Sequence, residues 1–289
     1  MQIIDGKKIS AEILEKIKKE VALLAFVPVF CDVLVGEDPS SVQYVRMKAH
    51  MAEKVGIHFH PANFPSSITT EELVKEIKVL NNIKNMCGII VQLPLPESLD
   101  KRVVLDSIDP HLDVDSLGTV ASEQFYNACL SGRQGDTALG FPTALACMAI
   151  LDSLNLDLTT KNIVVLGQGM LVGKPVTALL KFRKFNPIVI TSKTPARNAY
   201  GEVVAGGENK DELIKQADVI ISGIGKGAYI KNDMIKPGAV LIDAGTSESL
   251  ERSSTGELNS GIVGDVDLES VKNVASFVSP VPGGVGPVS

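Results

Sequence analysis

Ile163-Val164-Val165-Leu166-Gly167-Gln168-Gly169-Met170-Leu171-Val172-Gly173-Lys174-Pro175 is the stretch whose reading decides the fold. An unbroken apolar run followed at once by glycines predicts a buried strand ending in a tight turn. Pro175 then sits near the first turn of a helix reaching Phe182, where a missing N–H loses no partner. Strand, Gly-x-Gly-x-x-x-Gly turn and helix, in that order, form a dinucleotide-binding unit with one residue more than the usual spacing. Residues without Cβ let backbone N–H groups approach a pyrophosphate, and a helix N-terminus favours its charge. Gly167, Gln168, Gly169, Val172, Gly173 and Pro175 are therefore the candidate cofactor-binding residues. The plainer alternative is a tight strand–helix turn without a ligand. A nucleoside-triphosphate loop is excluded, because Gln168 stands where its first glycine belongs and Pro175 where it needs Ser or Thr.

Outward from this turn the pattern repeats. Ile188–Ile190, Val219–Ile221 and Ala239–Ile242 read as strands, and Lys210–Gln216 as a helix, which predicts a doubly wound α/β unit. The second strand of such a unit ends at the cofactor's ribose, where NAD sites place an acid. Here the chain reads Thr191-Ser192-Lys193-Thr194. Ser192, Lys193 and Thr194 offer hydroxyls and a cation instead, which favours the 2′-phosphate of NADP. Asp243, Asp265 and Asp267 are read as loop or strand-end structure and receive no chemistry.

The first half is also α/β. Helices are expected over Ile9–Ala25, Val42–Val55 with Ser40 or Ser41 as cap, from Thr70 as cap, and over Lys101–Ile108. Val27–Val35, His58–Asn63 and Gly88–Val91 read as strands. Asp109–Pro142 shows little periodicity and reads as a loop-rich domain junction, followed by a helix over Thr143–Leu156. Tyr44 and Lys48 stand one turn apart on a predicted helix and share a face. Gln92 follows a buried strand at its carboxyl end, where α/β sheets bind ligands. Asp113-Val114-Asp115 adds carboxylates.

Composition narrows the function classes. Net charge is −6 over 289 residues, with no Lys/Arg block, which argues against a nucleic-acid or anionic-membrane partner. No apolar run is long enough for a membrane span, and the N-terminus lacks signal-peptide architecture. Cys31, Cys87, Cys129 and Cys147 are widely spaced, which fits free thiols in a reducing cytoplasm better than a zinc site or disulfides. His58 and His60 share a strand face but lack an evident third ligand, so no metal is expected.

These pieces together resemble the methylenetetrahydrofolate dehydrogenase/cyclohydrolase family over nearly the whole chain. The matching motifs are Tyr44-Val45-Arg46-Met47-Lys48, Val91-Gln92-Leu93-Pro94-Leu95-Pro96, Asp113-Val114-Asp115, Val172-Gly173-Lys174-Pro175 and Pro280-Val281-Pro282-Gly283-Gly284-Val285-Gly286-Pro287. The resemblance implies two α/β domains around a cleft, the second a Rossmann-like NAD(P)-binding domain. The expected boundaries are 1–138 for a folate-binding catalytic domain joined by 279–289, and 139–278 for the cofactor domain. It implies oxidation of 5,10-methylenetetrahydrofolate, hydrolysis of the methenyl product to 10-formyltetrahydrofolate, and a homodimer. By the same resemblance Lys48 is the central catalytic residue, with Gln92 holding its amine. Tyr44 stacks on the folate ring and Asp115 hydrogen-bonds the pterin. Leu93, Pro94, Pro282, Gly283, Gly284 and Val285 line the folate site. The alternative is a folate- or nucleotide-binding homologue with one or both activities lost. The chain differs from the family pattern where Gln168 replaces an Arg, Leu112 a Lys and Ser116 a Gly, and where Phe141-Pro142-Thr143-Ala144-Leu145-Ala146 replaces Pro-Cys-Thr-Pro-x-Gly. The implied cofactor is NADP, and Gln168 leaves NAD use open.

Overall fold

The structure is a computed structural model that describes residues 1–131, 139–191, 209–252 and 258–289. These divide into two compact units, Ala11–Phe141 and Met1–Ser10 with Pro142–Ser289.

The chain begins with β1 (Gln2–Ile3) and α1 (Gly6–Val21). The Ala11–Phe141 unit then carries β2 (Val29–Val35), α2 (Pro39–Val55), β3 (His58–Phe64), α3 (Thr70–Leu80), β4 (Met86–Val91), α4 (Lys101–Leu105) and α5 (Thr119–Ser131). Its sheet is parallel, in the order β3-β2-β4. Parallel neighbours need crossover helices, and these cover the sheet faces, which is why β2 is buried along nearly its whole length. Leu73, Ile77, Ile89, Val33 and Val104 are fully buried. Each such side chain contributes about 1.5–3 kcal/mol.

Two helix caps differ from the sequence expectation. Asp38, not Ser40 or Ser41, caps α2: its carboxylate accepts from Ser41 N at 2.8 Å, and Pro39 takes the first helical position. Thr69, not Thr70, caps α3 in a reciprocal box with Glu72. The region read as loop-rich contains α5, thirteen residues long. Its apolar face is narrow: Ala121 and Phe125, one turn apart, face inward. Phe125 then meets Phe141 edge-on, ring centroids 5.1 Å apart. A two-residue stripe is too thin to read as periodicity.

The second unit continues with α6 (Pro142–Ser153), β5 (Ile163–Leu166), α7 (Gly173–Phe182), β6 (Ile188–Ile190), α8 (Asn209–Gln216), β7 (Val219–Ser222), β8 (Val240–Asp243), the antiparallel hairpin β9 (Ser247–Arg252) and β10 (Leu258–Val263), α9 (Leu268–Val271) and β11 (Phe277–Ser279). Its main sheet is parallel, in the order β1-β11-β8-β7-β5-β6. The chain leaves β5 for β6 on one side and returns to β7 on the other. The carboxyl ends of β5 and β7 therefore form a topological switch point, the place where open α/β sheets bind ligands. Val164, Leu166, Ile214, Ile220, Leu241 and Val278 form its core.

The segment 279–289, expected with the first domain, clusters with this unit instead. The reason is strand pairing: β1 pairs with β11, so the residues just beyond each strand meet. Gly6 N donates to Gly283 O at 3.0 Å, and a Cβ on Gly6 would collide with Gly284 O. The closing Pro/Gly motif is thus an ordered series of turns, with Val285 buried. Among the described residues, no helix is long and apolar enough to cross a membrane.

Candidate active site

In the Ala11–Phe141 unit the site is built on the carboxyl end of the β3-β2-β4 sheet. Asp32 and Ile90 are register partners on β2 and β4. Side chains alternate along a strand, so Gln92, two residues past Ile90, lies on the same face as Asp32. Lys48 reaches this face from α2. Its Nζ donates to Gln92 Oε1 at 2.8 Å and lies 2.6 Å from Asp32 Oδ2. Gln92 is itself oriented, since its Nε2 donates to Leu93 O at 2.7 Å. Lys48 keeps 29% of its side chain exposed while Asp32 has none.

Asp115 arrives from the other side. Ile89 N donates to Leu112 O at 2.7 Å, and Asp113 bridges Ile89 in parallel. The segment after α4 therefore runs beside β4, and two residues further on the chain is level with the strand's end. This approach needs Gly88, because a Cβ there would stand 2.6 Å from Val114 Cγ1. Asp113 is buried and organises the turn: its Oδ2 accepts from Gly118 N at 2.7 Å. Burial pushes the Asp115 carboxyl up to about 6; Lys48 opposes the rise, and Asp113 and Asp32 add to it. Burial also raises Asp32, against the pull of Lys48.

The structure places Lys48 and Gln92 in contact and Asp115 close enough to feel the Lys48 charge, with Tyr44 half-exposed one turn earlier on α2. Leu93 and Pro94 follow Gln92 directly, Pro94 exposed. Sequence reasoning missed Asp32. Its signal was a lone carboxylate inside Val29-Phe30-Cys31-Asp32-Val33-Leu34-Val35, an otherwise apolar strand. His58 is exposed on β3 and His60 partly buried.

In the other unit the glycine turn follows β5 at the switch point. Gly167 takes φ +92°, and a Cβ there would lie 2.9 Å from Gly223 O. A Cβ on Gly173 would collide with Gly167 O, so this glycine lets α7 start against the strand. Around Gly169 no atom lies within 4 Å of an added Cβ, which leaves the turn's outer side open to a ligand. This arrangement fits a dinucleotide pyrophosphate: an open backbone cradle at the N-terminus of a ten-residue helix. Val172 packs against the loop after β7, its Cγ1 2.8 Å from where a Gly223 Cβ would stand, and Pro175 is buried in the first turn of α7. The Gln168 side chain braces the turn: Nε2 donates to Gly167 O at 2.8 Å and Thr177 Oγ1 at 3.1 Å. Ser192, Lys193 and Thr194 lie outside the described residues. Pro282, Gly283, Gly284 and Val285 belong to this unit, in the turns beside Gly6.

Two buried carboxylates hold the loops at this sheet's carboxyl edge. Asp265 accepts from Ser222 Oγ at 2.7 Å and from Ile224 N and Lys226 N at 2.8 Å. Asp243 accepts from Gly245 N, Asp265 N and Val266 N. Burial pushes Asp243 up to about 6 although these amides draw it down. Asp267 caps α9.

Comparison with known proteins agrees with this geometry. Residues 4–115 match the tetrahydrofolate dehydrogenase/cyclohydrolase catalytic domain, and residues 142–289 its NAD(P)-binding domain. The chain is 38% identical to the bifunctional protein FolD of Nautilia profundicola, covering 100% of this chain and 93% of that one. It is 39% identical to that of Nitratiruptor, covering 100% and 94%. Among solved structures, the bifunctional FolD of Campylobacter jejuni superposes with TM-score 0.83 at 31% identity, covering 100% of this chain and 94% of that one. The Trypanosoma brucei methylenetetrahydrofolate dehydrogenase-cyclohydrolase, solved with NADP and an inhibitor, gives TM-score 0.85 at 31% identity, covering 99% and 92%. With catalytic and NAD(P)-binding domains both matched, the chain belongs to the tetrahydrofolate dehydrogenase/cyclohydrolase family.

Proposed function

We propose that the chain oxidises 5,10-methylenetetrahydrofolate to 5,10-methenyltetrahydrofolate with NADP as hydride acceptor, and hydrolyses the product to 10-formyltetrahydrofolate. The observation that carries this reading is Lys48 Nζ, held by Gln92 and Asp32 beside a carboxyl pushed up to about 6. Water adding to the cationic methenyl carbon must lose protons, and later ring opening must return one to nitrogen. An amine on a partly exposed side chain, beside a carboxyl raised to about 6, suits that traffic. Lys48 moves the proton at Nζ, Gln92 orients the amine, Asp115 hydrogen-bonds the pterin and Tyr44 stacks on its ring. Leu93, Pro94, Pro282, Gly283, Gly284 and Val285 contribute further folate contacts, a role drawn from the family resemblance. NADP, bound on the Gly167–Gly173 turn, supplies the hydride-accepting ring, and the chain's part is to hold and orient it.

The choice of NADP is supported by a cation at the end of β6, where Lys210 Nζ donates to Thr191 O at 2.7 Å. Homodimeric assembly is supported by the family's common habit, and a cytoplasmic setting by four free thiols. A role in one-carbon supply for purine synthesis follows from the 10-formyl product.

The test follows methenyltetrahydrofolate absorbance after mixing enzyme with methylenetetrahydrofolate and either NADP or NAD. Formation followed by enzyme-dependent decay is expected, faster with NADP. No formation with either cofactor would refute the proposal, and faster turnover with NAD would refute the cofactor assignment.

A further inference from the structure

Asp32 is fully buried at the centre of an apolar parallel strand, and neither of its carboxylate oxygens has an aligned hydrogen-bond donor among the described residues. Its contact with Lys48 at 2.6 Å is an ion pair. Such a carboxylate is a liability for stability: burial penalises the charge, and one partially exposed cation compensates it incompletely. An apolar residue would suit β2 better. Nor does α2 need Asp32 as an anchor, since Val45, Ala52 and Val55 are buried and Asp38 caps its start. What the carboxylate does achieve is local. It and Gln92 engage Nζ from two strands, restricting an otherwise mobile lysine side chain to one position.

We propose that Asp32 is a positioning residue of the hydrolytic step, holding the Lys48 amine against Gln92 in the geometry that step uses. The inference rests on the assignment of Lys48 to hydrolysis. The titratable groups around Asp32 are Lys48 from α2, Asp115 from the segment after α4, and the thiol of Cys31 on its own strand. Its β3 and β4 register partners, Pro61 and Ile90, carry no charge.

The experiment compares the wild-type chain with Asp32→Asn and Asp32→Val. It measures urea midpoints, and kcat, KM and the pH profile of methenyltetrahydrofolate hydrolysis. Both variants are expected to be at least as stable as wild type. Hydrolytic kcat is expected to fall by roughly 10- to 100-fold, the scale of a small misplacement of a reacting group, with KM changed less than about threefold. The acid limb of the profile is expected to move to lower pH in both, because the Asp32 charge is among the causes that raise Asp115. Unchanged kcat and profile in a folded variant would overturn the proposal. So would a loss of activity matched by a loss of folded protein, which marks a purely structural residue; the valine variant guards against misfolding peculiar to asparagine. Absence of hydrolysis in wild type is a distinct result, removing the Lys48 assignment itself and this proposal with it.

Discussion

Replacing Ser116 by glycine should stabilise the protein. Ser116 follows Asp115 in the turn after Asp113, and it takes φ +54° with no exposed surface. Its hydroxyl is buried without a hydrogen-bond partner among the described residues. The left-handed conformation costs an L-residue roughly 1–2 kcal/mol, and the unpaired hydroxyl about 1–3 kcal/mol. Against this, glycine adds unfolded-state entropy worth about 0.5–1 kcal/mol. The small void left by Cβ and Oγ costs about 1 kcal/mol. The difference is a gain of about 1 kcal/mol or somewhat more. Urea denaturation should show a higher midpoint at unchanged slope. In a thermal scan the gain corresponds to about 3–5 °C for a unit of this size. Ser116→Ala removes the hydroxyl but keeps the Cβ, so it should recover only part of the gain. A glycine variant less stable than wild type, or an alanine variant more stable than glycine, would refute the assignment of strain to this position.

Three further outcomes follow from the same geometry. Native Asp115, with its carboxyl raised to about 6, holds a proton that the unfolded chain gives up near pH 4. Its contribution to stability is full below about pH 4 and lost as pH rises through about 6. Asp115→Asn should therefore gain on wild type by about 1–3 kcal/mol across that window, measured by urea midpoints; a gap that instead closes with rising pH would contradict it. Lys48→Met should abolish methenyltetrahydrofolate hydrolysis and retain folate binding by fluorescence titration. It also strands buried Asp32, so stability at pH 7 should drop by about 2–4 kcal/mol, and Asp32→Asn in the same chain should restore the stability without the activity. Gly173→Ala sets a Cβ against Gly167 O and should weaken NADP binding at least tenfold by calorimetry, whereas Gly169→Ala, with open space around it, should leave the apo fold intact.

The sequence by itself determined the parts of this protein that depend on neighbours along the chain. An apolar tetrapeptide, three glycines and a proline specify the β5 strand, the turn and α7, because strand ends, left-handed φ and helix starts are local backbone matters. Tyr44 and Lys48 share a helix face for the same reason. Tertiary structure decided the rest. Helix α5 stays hidden because its burial comes from Phe141 and not from a wide apolar stripe of its own. The Pro/Gly motif after β11 joins the cofactor unit because β1, at the other end of the chain, completes that sheet. Asp32 lies sixteen residues from Lys48 and sixty from Gln92. Only the parallel register of β2 with β4, and the packing of α2 against β2 and β3, puts a carboxylate and an amide within hydrogen-bond distance of one amine nitrogen. Charges placed by strand register leave no periodic trace in a sequence, so the site's electrostatics emerge only when the sheet is assembled.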